Sequence, residues 1–143
     1  MEKQHFGNHR KKAPLIYYFS LLVLLVNFFI WLVKAILEND SSQKVNAVLI
    51  ATISFAGLIL GYFARSLALK AQDRAILAEE NLRHFVMTGK LHDSRLSRAQ
   101  IIALRFASEE EFVDLAKLAA TENLSANEIK QRIKNWKADH HRV

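Results

Sequence analysis

Two long apolar runs dominate the hydrophobic pattern of this chain. Leu15–Val33 and Val45–Ala64 hold no charged residue, whereas the segments before, between and after them are dense in charge. A helix needs about 20 apolar residues to cross the hydrocarbon core of a bilayer, so both runs read as transmembrane spans, over residues 15–37 and 45–64. A soluble chain of 143 residues could hardly wrap two such helices on every side. The connector ENDSSQK (38–44) is short enough to force an antiparallel hairpin.

The second run continues into a charged helical stretch, RSLALKAQDRAILAEENLRHFVMT (65–88). No proline interrupts it, and Gly89 offers the left-handed residue that ends helices. Small residues recur at Ala47, Ala51, Ser54, Gly57, Gly61, Ala64, Ala68, Ala71, Ala75 and Ala78, mostly in alternating steps of three and four, and Leu82 and Phe85 extend the series. A period near 3.5 is that of a coiled-coil seam, and Gly57-x-x-x-Gly61 permits close helix approach within a bilayer. The first span is the expected partner inside the membrane. For Ala68–Phe85 the partner stays open: the N-terminal segment, the C-terminal helices, a second copy of the chain, or an unrelated protein. Asn27, inside the first span, is expected to find a polar contact on the neighbouring span.

Beyond Gly89, Ser97-x-x-Gln100, Ser108-x-x-Glu111 and Ser125-x-x-Glu128 each have the capping-box spacing that starts a helix. Each precedes an apolar run, the last extending the predicted helix through ANEIKQRIKNWK (126–137). Three short amphipathic helices make a cluster with Phe106 and Trp136 as its largest apolar members. About 50 residues give a marginal core, so the cluster is expected to lean on the long helix. Glu79 and Arg83, four apart, read as a solvated pair. The expected fold is an all-α membrane protein: a basic N-terminal segment (1–14), a transmembrane hairpin (15–64), a cytoplasmic extension of the second span (65–89) and a helical cluster (90–143).

The net charge of +6 is informative through its distribution. Lys3, Arg10, Lys11 and Lys12 precede the first span, Arg65, Lys70 and Arg74 follow the second, and the connector carries Glu38 and Asp40 against Lys44. Basic residues stay on the cytoplasmic side, which puts both termini there, with Tyr17, Tyr18 and Trp31 at the interfaces. Arg10, Lys11, Lys12, Arg65 and Lys70 become candidate contacts for lipid headgroups. Topology thus absorbs much of the positive charge. Ser94–Val143, with nine Lys/Arg against seven Asp/Glu, is nearly balanced, so its Lys130, Arg132, Lys134 and Lys137 read as a solvated face and nucleic acid is not an expected partner.

Chemistry is sparse. The chain has no cysteine, which excludes disulfides and thiolate catalysis. His5 and His9 share a helix spacing but lack a third metal ligand nearby. The tail Asp139-His140-His141-Arg142 sits at a fraying terminus, where preorganised catalytic geometry is hard to hold. Neither span carries an internal ionisable group from which a proton or ion relay could be built. No enzyme activity, metal or cofactor is expected.

The segments QHFGNHR (4–10), ARSLALKAQDRAILAEENLR (64–83), QIIALRFASEEEF (100–112) and IKQRIKNWKADHHRV (129–143) resemble those of an uncharacterised family of small bacterial membrane proteins, defined as a domain of unknown function. The resemblance covers nearly the whole chain. It implies two spans in a bacterial cytoplasmic membrane, with a cytoplasmic C-terminal part, and it brings no activity or ligand. The reading that follows is a non-enzymatic interaction or scaffold protein that self-associates through the seam and presents the helical cluster. The alternative is a small accessory subunit of a transporter or membrane enzyme, bound to a second membrane protein.

Overall fold

The computed structural model describes residues 4–8 and 12–139, and is built from five helices: α1 (Leu15–Leu37), α2 (Ser41–Thr88), α3 (Arg98–Leu104), α4 (Glu109–Glu122) and α5 (Ala126–Arg132). The described residues contain no strand, only an isolated antiparallel bridge between Ala107 and Trp136. Among the expected features, His9, Arg10, Lys11, His140, His141 and Arg142 lie outside the described residues. The chain divides into two compact units, one of residues 12–69 and the other of residues 70–143 with the first eleven, and α2 belongs to both.

In the first unit, α1 follows Pro14, whose fixed φ suits the residue before a helix. Asp40 starts α2 by accepting a hydrogen bond from the Gln43 N–H at 2.8 Å, which satisfies one of the free donors of the first turn. Both helices are long and apolar enough to cross a membrane, with mean hydropathies of 2.4 and 2.1, and their apolar windows are only 6% and 17% buried. They run antiparallel: Tyr17 reaches the Gly61 carbonyl at 3.4 Å, Ser54 donates to Asn27 Oδ1 at 2.8 Å, and the Phe28 and Phe55 rings lie 5.5 Å apart. Ala47, Ala51 and Ser54 are buried here, as is Ala35. Space at the two glycines is tight, since a Cβ on Gly57 would stand 3.2 Å from Leu24, and one on Gly61 2.9 Å from Leu21.

The second unit encloses the larger core, with Leu104, Phe106, Phe112 and Ile129 fully buried. Ser97 with Gln100 and Ser125 with Glu128 form complete capping boxes on α3 and α5. The Gln100 side chain also donates to the Leu124 carbonyl at 2.7 Å, joining the start of α3 to the link before α5. Ser108 departs from this pattern. It occupies the N-cap of α4 but its hydroxyl makes no capping bond, and the reciprocal half is missing too, since Glu111 accepts from the Lys134 and Asn135 N–H groups at 3.1 and 3.0 Å while the Ser108 N–H donates to Asn135 O. The helix predicted through residue 137 accordingly stops at Arg132, with Ile133 extended at ψ 121. Residues 133–137 pair with the 106–108 backbone, through Ser108 N–H to Asn135 O and Lys137 N–H to Phe106 O. Trp136 still reaches Phe106, at 5.1 Å between rings, by way of this bridge rather than a helix face.

Replacing Gly61 tests the α1–α2 approach. Gly61→Leu is expected to destabilise the hairpin by about 1–3 kcal/mol through overpacking, read as earlier unfolding in an SDS titration. Gly61→Ala should cost less, because the atom it meets is the end of the flexible Leu21 side chain; equal losses for both would show that the close approach is not limiting.

Candidate interaction site

Within the second unit one side of α2 is buried, at Ile76 and Glu80, which are 7% and 8% exposed. Leu77 packs on the core of the helical cluster. Arg83 is the hub of this contact: its guanidinium pairs with Glu80 at 3.2 Å, donates to the Ala107 carbonyl at 2.8 Å and lies 4.1 Å over the Phe112 ring. The expected solvated pair of Glu79 with Arg83 is therefore not formed. One turn of helix carries both carboxylates, and Glu80 stands on the buried side, where Arg83 also meets a carbonyl and an aromatic face. Glu79 points to solvent.

Next to this hub His84 and His92 stack at 4.3 Å, and each also contacts the Phe112 ring. His84 Nδ1 lies 2.7 Å from the Lys90 carbonyl. Both ring nitrogens of His92 are shielded from solvent and make no hydrogen bond. Burial, reinforced by neighbouring His84, holds the His92 pKa down to about 4, against an opposing pull from the Glu80 backbone. Desolvation also pushes the Glu80 carboxyl upward, against the pull of Arg83. An open cleft of about 360 Å³ adjoins the pair, floored by Ala116 and Ala120 and rimmed by Asp93 and Arg95. Those two rim residues neutralise one another at 2.7 Å, and the Arg95 hydrogen bonds hold the Asp93 carboxyl below its usual range. Among the described residues no group of three His, Asp or Glu side chains is arranged to hold a metal ion.

The seam residues divide by location. In the first unit Ser54, Gly57 and Gly61 face α1, while Ala64 is exposed and Ala68 is half-buried. In the second unit Ala71, Ala75 and Ala78 are exposed, as are Leu82 (63%), Phe85 (50%) and Val86 (74%). This face is distinct from the one occupied by the helical cluster. Of the headgroup candidates, Lys12 and Lys70 are exposed, and Arg65 lies over the Tyr17 ring at 5.4 Å. Sequence reasoning missed the inward set of Glu80, Arg83, His84 and His92; the Glu80–Arg83 spacing of three was its available signal. It also missed Gln4, whose amide exchanges two hydrogen bonds with the Asp139 backbone at 2.9 and 3.2 Å, and Arg105, which pairs with the Asp139 carboxylate at 3.3 Å.

The fold and site thus define an all-α protein with two helices of membrane-spanning length and a small helical cluster on the end of the second. The chain belongs to a family of unknown function, DUF6526, whose model matches residues 1–143. Comparison with curated proteins and with solved structures gives no match.

Half-buried His92, with both ring nitrogens shielded, gives a pH test. The folded state favours neutral His92, so its contribution is complete above the unfolded pKa of about 6.5 and is lost as pH falls toward 4. Glu80 acts in the opposite sense, since a raised folded pKa relieves its burial penalty as pH falls. Wild-type stability relative to His92→Gln is therefore expected to decline between pH 6.5 and 4 in chemical denaturation; a difference independent of pH would refute the buried neutral ring.

Proposed function

We propose that this is a non-enzymatic, two-span protein of a bacterial cytoplasmic membrane, with both termini and the helical cluster on the cytoplasmic side, acting as a self-associating interaction protein. One observation carries the reading. The cluster meets α2 at Leu77 and Arg83, on the side where Ile76 and Glu80 are buried, and a face of Ala71, Ala75, Ala78, Leu82 and Phe85 is left exposed. Two large apolar residues in register with three alanines resemble a packing surface more than a solvated one. A lipid environment for α1 and the first part of α2 is supported by their apolar, nearly unburied windows. Tyr17 with Arg65 at one end, and Trp31 under Lys34 at 4.9 Å at the other, supply the amphipathic aromatic–cation pairs typical of membrane interfaces. Exposed Lys12 and Lys70 are then the residues offered to anionic headgroups.

Native mass measurement of the full chain in mild detergent tests the reading. The wild type is expected as a homo-oligomer, and Ala71→Glu or Ala75→Glu as a monomer that keeps its helical content. A monomeric wild type would overturn it. Proximity labelling in cells covers the alternative, since recovery of one dominant transporter or membrane enzyme would favour an accessory subunit.

A further inference from the structure

The open face of α2 fixes more than the fact of association. We propose that two copies of the chain pair in parallel along Ala68–Phe85, in a register set by reciprocal ion pairs between Arg74 of each copy and Glu79 of the other. The proposal rests on the self-association reading and specifies its geometry.

Ala68, Ala71, Ala75, Ala78, Leu82 and Phe85 alternate steps of three and four, which makes them the a and d positions of about two and a half heptads. With Ala68 at a, Arg74 falls at g and Glu79 at e of the next heptad. That g-to-e′ relation is the one that juxtaposes side chains across a parallel two-stranded coiled coil. Opposite charges at these two positions give two attractive contacts by symmetry, since an isologous pair makes every contact twice.

Three independent features of the structure keep these residues available. Arg74 and Glu79 are exposed, and the described ion pairs and hydrogen bonds engage neither. Arg83, the natural partner of Glu79 one turn along the helix, is turned inward to Glu80 and Ala107. The residues that meet the helical cluster, Leu77 and Arg83, and the buried Ile76 and Glu80 are b, c and f positions of the same heptads, so the covered side lies away from the a/d face. Chain direction is constrained as well: two copies inserted in one membrane with the same topology present their α2 helices in parallel. Alanine at four successive a and d positions allows the backbones to approach closely, while Leu82 and Phe85 supply the larger apolar contact at the far end.

The test uses the full chain in detergent or nanodiscs. Arg74→Glu and Glu79→Arg should each weaken the homodimer by roughly tenfold, because two exposed attractions become repulsions. Mixing the two single variants should restore dimers as a heteropair, because opposite charges then meet at both g-to-e′ contacts. A chain carrying both reversals should pair as well as the wild type. The absence of native cysteine makes single-cysteine crosslinking unambiguous. Ala75→Cys is expected to crosslink to its own copy, and Asp73→Cys, on the outer side of the heptad, is not. A dimer indifferent to both charge reversals, or one crosslinked through Asp73→Cys rather than Ala75→Cys, would overturn this geometry while leaving self-association standing. A chain that is monomeric throughout would overturn both.

Discussion

The second unit depends on how the guanidinium of Arg83 is accommodated. A buried cation is tolerable only when paired and hydrogen-bonded, and Arg83 meets Glu80, the Ala107 carbonyl and the face of Phe112. Those three partners come from α2, from the turn after α3 and from α4, so one planar group joins the long helix to the cluster it carries. Desolvation still exceeds the Coulomb attraction at Glu80, whose carboxyl is pushed upward despite the arginine beside it. Behind this contact lie the largest fully buried apolar side chains, Phe106, Phe112, Leu104 and Ile129, whose removal from water favours folding.

The same choice by Arg83 has a consequence on the outer surface. A helix can satisfy an arginine with a carboxylate three or four residues away, and here the buried side takes it. Glu79 is left without an intrahelical cation, and Arg74 likewise points outward, five residues before it. Charges set five apart on one helix are poor partners for each other yet well placed for a second helix in parallel. Inward satisfaction of Arg83 and outward availability of Glu79 go together.

Much of the architecture was legible because its causes are local. Two uncharged runs of membrane-spanning length, the absence of proline through the long helix, and the boxes at Ser97 and Ser125 all act within a few residues of one another. What escaped reading depends on contacts distant in sequence. Glu111 has capping chemistry like that of Gln100 and Glu128, but its carboxylate is claimed by the backbone at Lys134 and Asn135. That capture goes with the early end of α5 and the pairing of residues 133–137 with 106–108, and nothing within residues 126–137 announces it. Glu80 and His92 carry no local mark of burial either; residues distant in sequence surround them, such as Phe112 against His92 and Arg105 and Lys137 near Glu80. The small residues of the candidate face were visible as a series, whereas its separation from the covered side required knowing where the helical cluster sits.

The series also obeys two different geometric demands along one helix. A strict 3.5-residue repeat on a helix of 3.6 residues per turn precesses by about 20° per heptad unless the helices supercoil. In the first unit the partner is α1 of the same chain, and the packing follows the antiparallel hairpin through Ser54, Gly57 and Gly61, leaving Ala64 outside. In the second unit no described helix takes the repeat; the buried positions of α2 there are Ile76 and Glu80, four apart and off the series. A 3.5 repeat unused within the chain is one that only a left-handed supercoil can keep on a single face. Two equivalent α2 helices running in parallel meet that condition, and the short, alanine-rich stretch from Ala68 to Ala78 is where their axes can come close enough to begin it.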